Sequence, residues 1–415
     1  MREIKKLDLS HLPDYHRITV NAYPRGKDLS PEGVQAYFEE VGALMKADDK
    51  VHFYGLFEAG KLAGVMRVFD FDMNLFGRIE TVTGLGFLAV DLAHKKEKMA
   101  RDLVQFFEED SLKRDHPLGC LLPFRPDFYK TMGYGFGTKY NRYVLAPSQI
   151  PACQDRGDIR YIDKKDLSSL VDFQRLLVQK THGMAYKLES EIRDLKEDRE
   201  VRLVGAYEGE EMTGYLIFDM VPGPSDNYYD NNLSVREMAY RDPKALRQLL
   251  GFLNRQADQA RLVFFNTTDP DFHYLLDNPT RPGGAYVDFG NLEANSQYIG
   301  PMYKVFDFRR ALEKFEGRTY HGVDLRARFI IEDELAHEKK TLVLHLNQGQ
   351  VDLDQEDYSL TIDIKLADLS SLYMGTVSAH GLYRLGRLRL DDPSQLDLLN
   401  QAFSLPRPPA FNTDF

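Results

Sequence analysis

The sequence has no tryptophan, only two cysteines and no long hydrophobic run. Two cysteines, Cys120 and Cys153, cannot build a disulfide framework. A membrane-spanning helix needs about 20 consecutive apolar residues, so none is expected. The N-terminal segment is charged from its second residue and has no apolar signal core, which favours a cytoplasmic location.

Basic residues are also in short supply, with 53 Lys and Arg against 64 Asp and Glu and a net charge of −11. This balance argues against nucleic acid as a partner and leaves cationic small molecules or basic peptides. The 11 histidines lack the spacing of metal ligands, so no metal site is predicted. A chain of 415 residues is long enough for roughly three domains.

The most informative stretch covers residues 81–107. Its apolar run Val82 to Val90, which contains Gly84 and Gly86, is typical of a buried strand. A basic turn, His94 to Lys98, follows, and a helical stripe comes next, made of Met99, Leu103, Phe106 and Phe107. Free N–H groups at the start of a helix, beside lysines, suit a di- or triphosphate group. A solvated basic turn is the equally good alternative on this stretch alone.

The N-terminal region before this stretch is predicted to be mainly helical. One helix face is formed by Leu12, Tyr15, Ile18 and Ala22. A second helix should begin at Ser30-Pro31, with Ser as N-cap and Pro in the first turn. Val51 to Glu58 and Lys61 to Phe69 predict a hairpin. Tyr140 to Leu145 is expected to be the last strand of this first unit.

A second unit repeats the first, which indicates a duplicated domain. Phe53 to Glu58 reappears as Leu203 to Glu208, and Pro126-Asp127-Phe128 reappears as Pro270-Asp271-Phe272. Three helical positions and the preceding dipeptide recur as well: Leu92-Ala93 as Met238-Ala239, Arg101 as Arg247, Leu103 as Leu249 and Phe106 as Phe252.

The two copies differ at the candidate site. The basic turn becomes Arg241 to Lys244, in which Pro243 removes a backbone donor and Asp242 puts a carboxylate where a phosphate would lie. Tyr129 becomes His273. The sequence therefore predicts that the first copy alone carries the site.

The pattern changes again near Gly300, where a third domain is expected to begin. Met302 to Phe315 is predicted as its first strand and helix. The C-terminal tail contains Pro406, Pro408 and Pro409, which favour a stiff extended arm.

Together these features resemble known families. The strand Phe87 to Val90, the basic turn, the helix after it and the segment Phe128 to Tyr134 resemble the GNAT N-acetyltransferases. The duplication, the third domain and the ending in an acidic residue and Phe are similar to the enhanced intracellular survival (Eis-like) family over the whole chain.

The resemblance implies an α/β (α+β) fold with two fused GNAT domains, each with a mixed central sheet, and a sterol-carrier-like α+β domain. The expected domains are residues 1–150, which bind acetyl-CoA, residues 151–298, a degenerate copy without cofactor, and residues 299–415. A homo-oligomer, a hexamer by resemblance, is implied. The implied activity is transfer of an acetyl group from acetyl-CoA, as co-substrate, to a primary amine of a cationic small molecule, aminoglycoside-like or polyamine-like.

The expected contacts of acetyl-CoA are Phe87, Leu88, Ala89, Val90, Lys95, Lys96, Glu97, Lys98, Met99 and Ala100. The turn contains no glycine, but its backbone amides can still cradle a phosphate if the turn needs no positive φ. Tyr129, with an ordinary pKa near 10, suits the protonation of a thiolate, and aromatic packing is its alternative role.

By resemblance, the terminal carboxylate of Phe415 is the base, and a frayed tail is the alternative. Asp414 and Tyr23 are the candidate contacts of the amine, although Tyr23 also suits helical packing. Two other functions stay open: a protein or peptide lysine acetyltransferase, and a non-catalytic lipid- or CoA-binding protein.

Overall fold

The computed structural model describes residues 2–25, 27–155, 157–284, 286–413 and 415, with only the backbone at 286–288. The chain divides into two compact units, Met1–Gly137 with Pro301–Phe415, and Thr138–Gly300. Within the described ranges, every helix is too short or too polar to cross a bilayer.

The N-terminal part of the first unit combines helices with an antiparallel hairpin of β2 and β3, as predicted. Its strands are β1 (Arg2–Lys6), β2 (Val51–Glu58), β3 (Lys61–Leu75), β4 (Arg78–Val90), β5 (Leu118–Leu121) and β6 (Gly135–Phe136). Its α-helices are α1 (Leu12–Ala22), α2 (Pro31–Ala47), α3 (Met99–Lys113) and α4 (Pro126–Lys130). The Ser30 hydroxyl caps α2 by accepting the N–H of Gly33 at 3.1 Å, which confirms the predicted start.

The second unit has the same succession of elements. Its strands are β7 (Tyr140–Leu145), β8 (Asp158–Tyr161), β9 (Arg202–Glu208), β10 (Glu211–Pro222), β11 (Asn231–Tyr240), β12 (Val263–Thr267), β13 (Tyr286–Asp288), β14 (Asn291–Leu292) and β15 (Ser296–Tyr298). Its α-helices are α5 (Ser168–Val178), α6 (Glu189–Glu197) and α7 (Pro243–Asn254). Each of the two long hairpins, β3–β4 and β10–β11, is therefore followed by an amphipathic helix.

The C-terminal part returns to the first unit. Its strands are β16 (Met302–Val305), β17 (Leu325–Asp333), β18 (Glu338–Asn347), β19 (Gln350–Asp352), β20 (Leu360–Lys365) and β21 (Leu388–Leu390). Its α-helices are α8 (Phe308–Lys314), α9 (Leu366–Tyr373), α10 (Ala379–Arg384) and α11 (Leu396–Phe403). Strands β17 to β21 form a separate sheet in the order β19-β18-β17-β20-β21, in which only β17 and β20 run parallel.

Two strands lie in a different sheet from the one predicted. The first sheet has the order β1-β2-β3-β4-β5-β16-β6, so β16 completes it instead of opening the third domain. The second sheet has the order β15-β7-β12-β11-β10-β9-β8, so the prediction that β7 closes the first unit is wrong.

The reason for this exchange is long-range pairing. Strand β16 bonds to both β5 and β6 and is buried along its whole length. The ammonium of Lys304 in β16 lies 2.6 Å from Glu108 of α3, which compensates a cation that is only 2% exposed. The predicted domain boundaries near residues 150 and 298 stay predictions.

The packing of the two hairpins supports the duplication. A Cβ on Gly64 would lie 3.1 Å from Leu103, and a Cβ on Gly214 would lie 3.1 Å from Leu249. The same glycine-to-leucine contact therefore joins the hairpin and the helix in each unit. The predicted match of Leu92-Ala93 with Met238-Ala239 is wrong, since the former lie in a 3-10 helix and the latter in β11.

Candidate functional site

Strand β4 carries a bulge in the middle of the region expected to bind acetyl-CoA. Val65 pairs with Ala89, whereas Arg67 pairs with Gly86, so Phe87 and Leu88 together face one residue of β3. Phe87 takes a φ of 49°, which is unusual for a bulky side chain. A bulge leaves the extra residue out of the ladder, which opens backbone N–H groups to a ligand, although the Leu88 carbonyl already accepts a hydrogen bond from Tyr23.

Strands β4 and β5 also separate at this point. Their parallel pairing covers only Thr83 to Leu85, although β4 continues to Val90. Leu88, Ala89 and Val90 are all buried. The edge of β4 that faces β5 is therefore outside the β4–β5 ladder along the predicted acetyl-CoA contacts Leu88 to Val90, which are buried.

Helix α3 begins without a side-chain cap. Its N-cap residue Lys98 makes no capping hydrogen bond, and the first N–H to find a helical acceptor is that of Asp102, bonded to the Lys98 carbonyl at 3.0 Å. The N–H groups of Met99, Ala100 and Arg101 precede it and are available to an anion. This start fits a phosphate group on the residues predicted from sequence.

The turn before α3 is strained, contrary to the condition set from sequence. Lys96 and Lys98 have φ values of 68° and 65°, in the left-handed region that glycine occupies without strain. Such a conformation costs about 1–3 kcal/mol for a non-glycine residue. The turn therefore places two cations, Lys96 and Lys98, before the helix at a cost in conformational free energy.

Charges around the turn leave its lysines free. Arg2 pairs with Glu58 at 2.8 Å and with Asp102 at 2.7 Å, and Glu97 lies 3.2 Å from His94. In the described part of the chain, no ion pair engages Lys95, Lys96 or Lys98. The nearby carboxylates are thus neutralised while three exposed lysines surround the helix start.

Tyr129 lies in the buried cluster that also contains Leu88, Val90 and Met99. It is 3% exposed, on the short helix α4. Burial raises the pKa of its phenol, and the phenol of Tyr23 adds to that rise. The phenol therefore stays protonated at neutral pH, as a proton donor must.

Tyr23 contacts the bulge directly. Its hydroxyl donates to the carbonyl of Leu88 at 2.8 Å, and its ring makes an edge contact with Phe87 at 6.3 Å. Tyr23 is thus placed to hold the bulge, and its contact with the acceptor amine stays a prediction.

The C-terminal residue packs on the face of β3 and β4. The ring of Phe415 lies 4.9 Å from that of Phe71 and 5.2 Å from that of Phe69. A Cβ on Gly84 would lie 3.0 Å from this ring, and a Cβ on Gly86 would lie 3.2 Å from the carboxyl carbon of Phe415. Glycine at both positions therefore makes room for the tail. The other tail candidate, Asp414, lies outside the described residues.

Sequence reasoning missed Arg67, which belongs to the same face. Its side chain is 8% exposed and stacks 3.9 Å above the ring of Phe87. A cation inside the apolar run of β3, and two glycines spaced by two in β4, were the available signals.

The second unit closes the equivalent helix start. The Asp242 carboxylate accepts the N–H groups of Lys244 at 2.9 Å and Ala245 at 3.0 Å, as its place in the sequence predicted. The N–H of Ala245 is the main reason that the pKa of Asp242 is lowered. His273, the counterpart of Tyr129, is exposed. The site features therefore occur together in the first copy.

Comparisons with known proteins agree with this architecture. An acetyltransferase (GNAT) domain matches residues 3–137, a second acetyltransferase (GNAT) domain matches residues 183–292, and a sterol carrier protein domain matches residues 309–412. None of the curated proteins is a significant match for the sequence.

Solved structures share the fold over both full chains. A GCN5-related N-acetyltransferase from Anabaena variabilis has 17% identity and a TM-score of 0.81, covering 100% of each chain. A probable N-acyltransferase from Enterococcus faecalis has 18% identity and a TM-score of 0.81, and Eis1 from Mycobacterium abscessus has 17% and 0.75, both at 100% coverage of each chain. The predicted mixed α/β fold is confirmed: the chain carries two GNAT domains and a sterol carrier protein domain, and it is an acetyltransferase.

Proposed function

We propose that the first GNAT domain transfers the acetyl group of acetyl-CoA to a primary amine of a cationic small molecule. The observation that carries the proposal is the uncapped start of α3, surrounded by Lys95, Lys96 and Lys98. An aminoglycoside-like or polyamine-like acceptor follows from the resemblance to the Eis-like family.

Bound acetyl-CoA supplies an acetyl thioester, which is activated toward attack by an amine. The free amides of Met99 and Ala100 and the lysines of the turn would hold its diphosphate. The bulged, unpaired edge of β4 from Phe87 to Val90 would hold the acyl arm and present N–H groups to the thioester oxygen.

The proposed chemistry uses two groups of the chain. The Phe415 carboxylate takes a proton from the ammonium group, and the neutral nitrogen then attacks the thioester carbon. The C–N bond forms as the C–S bond breaks, and the Tyr129 phenol gives its proton to the departing sulfur. The new amide loses its extra proton, which restores the phenol through solvent, so the net products are amide, thiol and one proton.

Two properties of the carboxylate bear on its role. An exposed α-carboxyl has a pKa of about 3.5, too low for an efficient base at neutral pH. Phe415 is half-buried among Phe69, Phe71 and Phe411. A cytoplasmic location and a hexameric assembly are further parts of the proposal, by resemblance.

Free-thiol release from acetyl-CoA tests the activity. The full chain is assayed with an aminoglycoside, a polyamine and a basic peptide as acceptors. We expect turnover with small amines. Turnover with the peptide alone favours a lysine acetyltransferase, and acetyl-CoA or lipid binding without any turnover favours the non-catalytic function.

A C-terminal extension tests the proposed base. Two residues added after Phe415 should lower kcat by about 100-fold, the usual contribution of a general base. The affinity for acetyl-CoA, measured by calorimetry, should not change. Full activity of the extended chain would remove the terminal carboxylate from the mechanism.

A further inference from the structure

Arg67 is a buried cation on the face where the proposed acceptor binds, and the proposed chemistry gives it no role. It pairs with Gly86 in the β3–β4 ladder, and cross-strand partners project from the same face. The carboxyl carbon of Phe415 lies over that face, 3.2 Å from the place of a Gly86 Cβ. Arg67 and the terminal carboxyl group therefore share one surface of the sheet.

Aromatic side chains fix the guanidinium of Arg67 in place. Its Cζ lies 3.9 Å from the ring centre of Phe87 and 5.0 Å from that of Phe53. Its Nε donates to the hydroxyl of Tyr15 at 2.7 Å. A guanidinium has five N–H donors in a planar fork, so Tyr15 engages only one of them.

The rest of the fork has no anion in the described residues. No carboxylate there, including that of Phe415, lies within the 4.0 Å of an ion pair with Arg67. The side chain is 8% exposed, and within the described residues its charge is met by aromatic rings and the Tyr15 hydroxyl but by no counter-ion. The partner that best fits a planar fork is a carboxylate.

We propose that Arg67 binds a carboxylate of the acceptor, so that the acceptor is a primary amine that also carries a carboxylate, as an amino acid does. This inference rests on the proposed transfer of an acetyl group to a cationic amine, and it replaces the aminoglycoside-like or polyamine-like acceptor with a cationic amino acid such as lysine or ornithine. The acceptor still arrives as an ammonium ion, which the Phe415 carboxylate attracts. A polyamine or aminoglycoside would instead bring a second positive charge toward Arg67, which is repulsive in a site with little water.

Matched acceptor pairs test this inference in the free-thiol assay. Lysine and cadaverine differ only by a carboxylate, as do ornithine and putrescine. The wild-type chain should prefer the carboxylate-bearing member of each pair by at least about tenfold in kcat/KM, since one charge-assisted pair is at stake. Arg67→Gln should remove the preference by slowing the amino acids about 10- to 100-fold, with cadaverine and putrescine nearly unchanged.

Two control variants complete the experiment. Arg67→Lys keeps the cation without the fork and should retain part of the preference. Arg160→Gln makes the same change of charge at a partly exposed arginine that stacks 4.8 Å over Tyr207 in the second unit, and it should change neither the preference nor the rates. Thermal unfolding reports whether each variant is folded. If Arg67→Gln is not folded, the preference of the wild-type chain within each acceptor pair tests the inference by itself.

The possible failures are distinguishable. Equal turnover within each pair, a preference for cadaverine, or an equal loss on both members in Arg67→Gln overturns the carboxylate role and leaves amine acetylation standing. An equal loss on both members would show that Arg67 stabilises the fold or the C-terminal tail and does not bind the acceptor. No turnover with any amine overturns the proposed function and this inference together.

Discussion

Helices α3 and α7 hold the same place in the two copies and begin in opposite ways. Helix α3 starts from a strained lysine turn with no capping side chain. Helix α7 starts with Pro243 and is capped by the Asp242 carboxylate. The same fold thus leaves backbone donors open in one unit and satisfies them internally in the other.

The charges around the two helix starts differ in the same sense. Arg241 pairs with Glu208 at 3.0 Å and with Glu211 at 2.7 Å, and Lys244 lies 2.5 Å from Glu208. The cations of the second copy are therefore used within the protein, whereas those before α3 are not. The comparison teaches that the absence of a cap and of counter-ions is what leaves a helix start open to an anion, at a cost in stability.

The largest expected effect contrasts Tyr129 with His273. Tyr129→Phe should lower kcat by about 100- to 1000-fold, because the thiolate would leave without a proton donor. The KM for acetyl-CoA should stay the same. His273→Phe, at the matching place of the second copy, should leave both constants unchanged. Steady-state kinetics measures all four values, and a similar loss in both variants would contradict the assignment.

The next effect comes from giving α3 the cap of α7. Lys98→Asp puts a carboxylate at the helix start and removes a cation, so affinity for acetyl-CoA should fall roughly 100-fold. Calorimetric titration measures it.

The matched control for that change is Lys98→Gly, which keeps the amides open. Glycine should lower affinity only a few-fold, through the lost charge. If both variants bind equally well, the helix start does not hold the diphosphate.

A smaller effect is expected when the cap of α7 is removed. Asp242→Ala should lower the free energy of unfolding by about 1 kcal/mol, as for other N-caps, without changing acetyl-CoA affinity. The pKa of Asp242 is lowered in the folded state, so its contribution is complete above the unfolded value of about 3.9 and is lost as pH falls through the folded pKa. Urea unfolding at several pH values should show the two proteins converging in acid.

The smallest effect concerns strain. Lys98→Gly should raise the free energy of unfolding by about 0.5 kcal/mol, since relief of the left-handed lysine is partly offset by the greater freedom of glycine when unfolded. The same urea experiment measures it. A loss of stability would show that Lys98 is held by contacts other than backbone strain.

Local signals predicted much of this comparison. The carboxylate of Asp242 at the helix start, the donor lost at Pro243 and the β2–β3 hairpin follow from neighbouring residues, and the structure confirms them. The positive φ values of Lys96 and Lys98 were not predicted, because lysine rarely adopts them and the surrounding fold imposes them.

Features that depend on distant residues were missed. Strands β7 and β16 are both short and mix apolar with polar residues, and nothing in their own residues tells which sheet each will join. Strand β1, Arg2–Lys6, is mostly charged because it lies at a sheet edge, so its composition concealed it. Arg67 becomes informative only when Phe87, Gly86 and Phe415 are brought around it.

The stoichiometry of acetyl-CoA binding tests the central claim most directly. Calorimetric titration of the full chain should give one site per chain, which is weakened by Lys98→Asp and unaffected by Asp242→Ala. Two equivalent sites per chain, or binding that depends on the start of α7 and not on that of α3, would contradict the account.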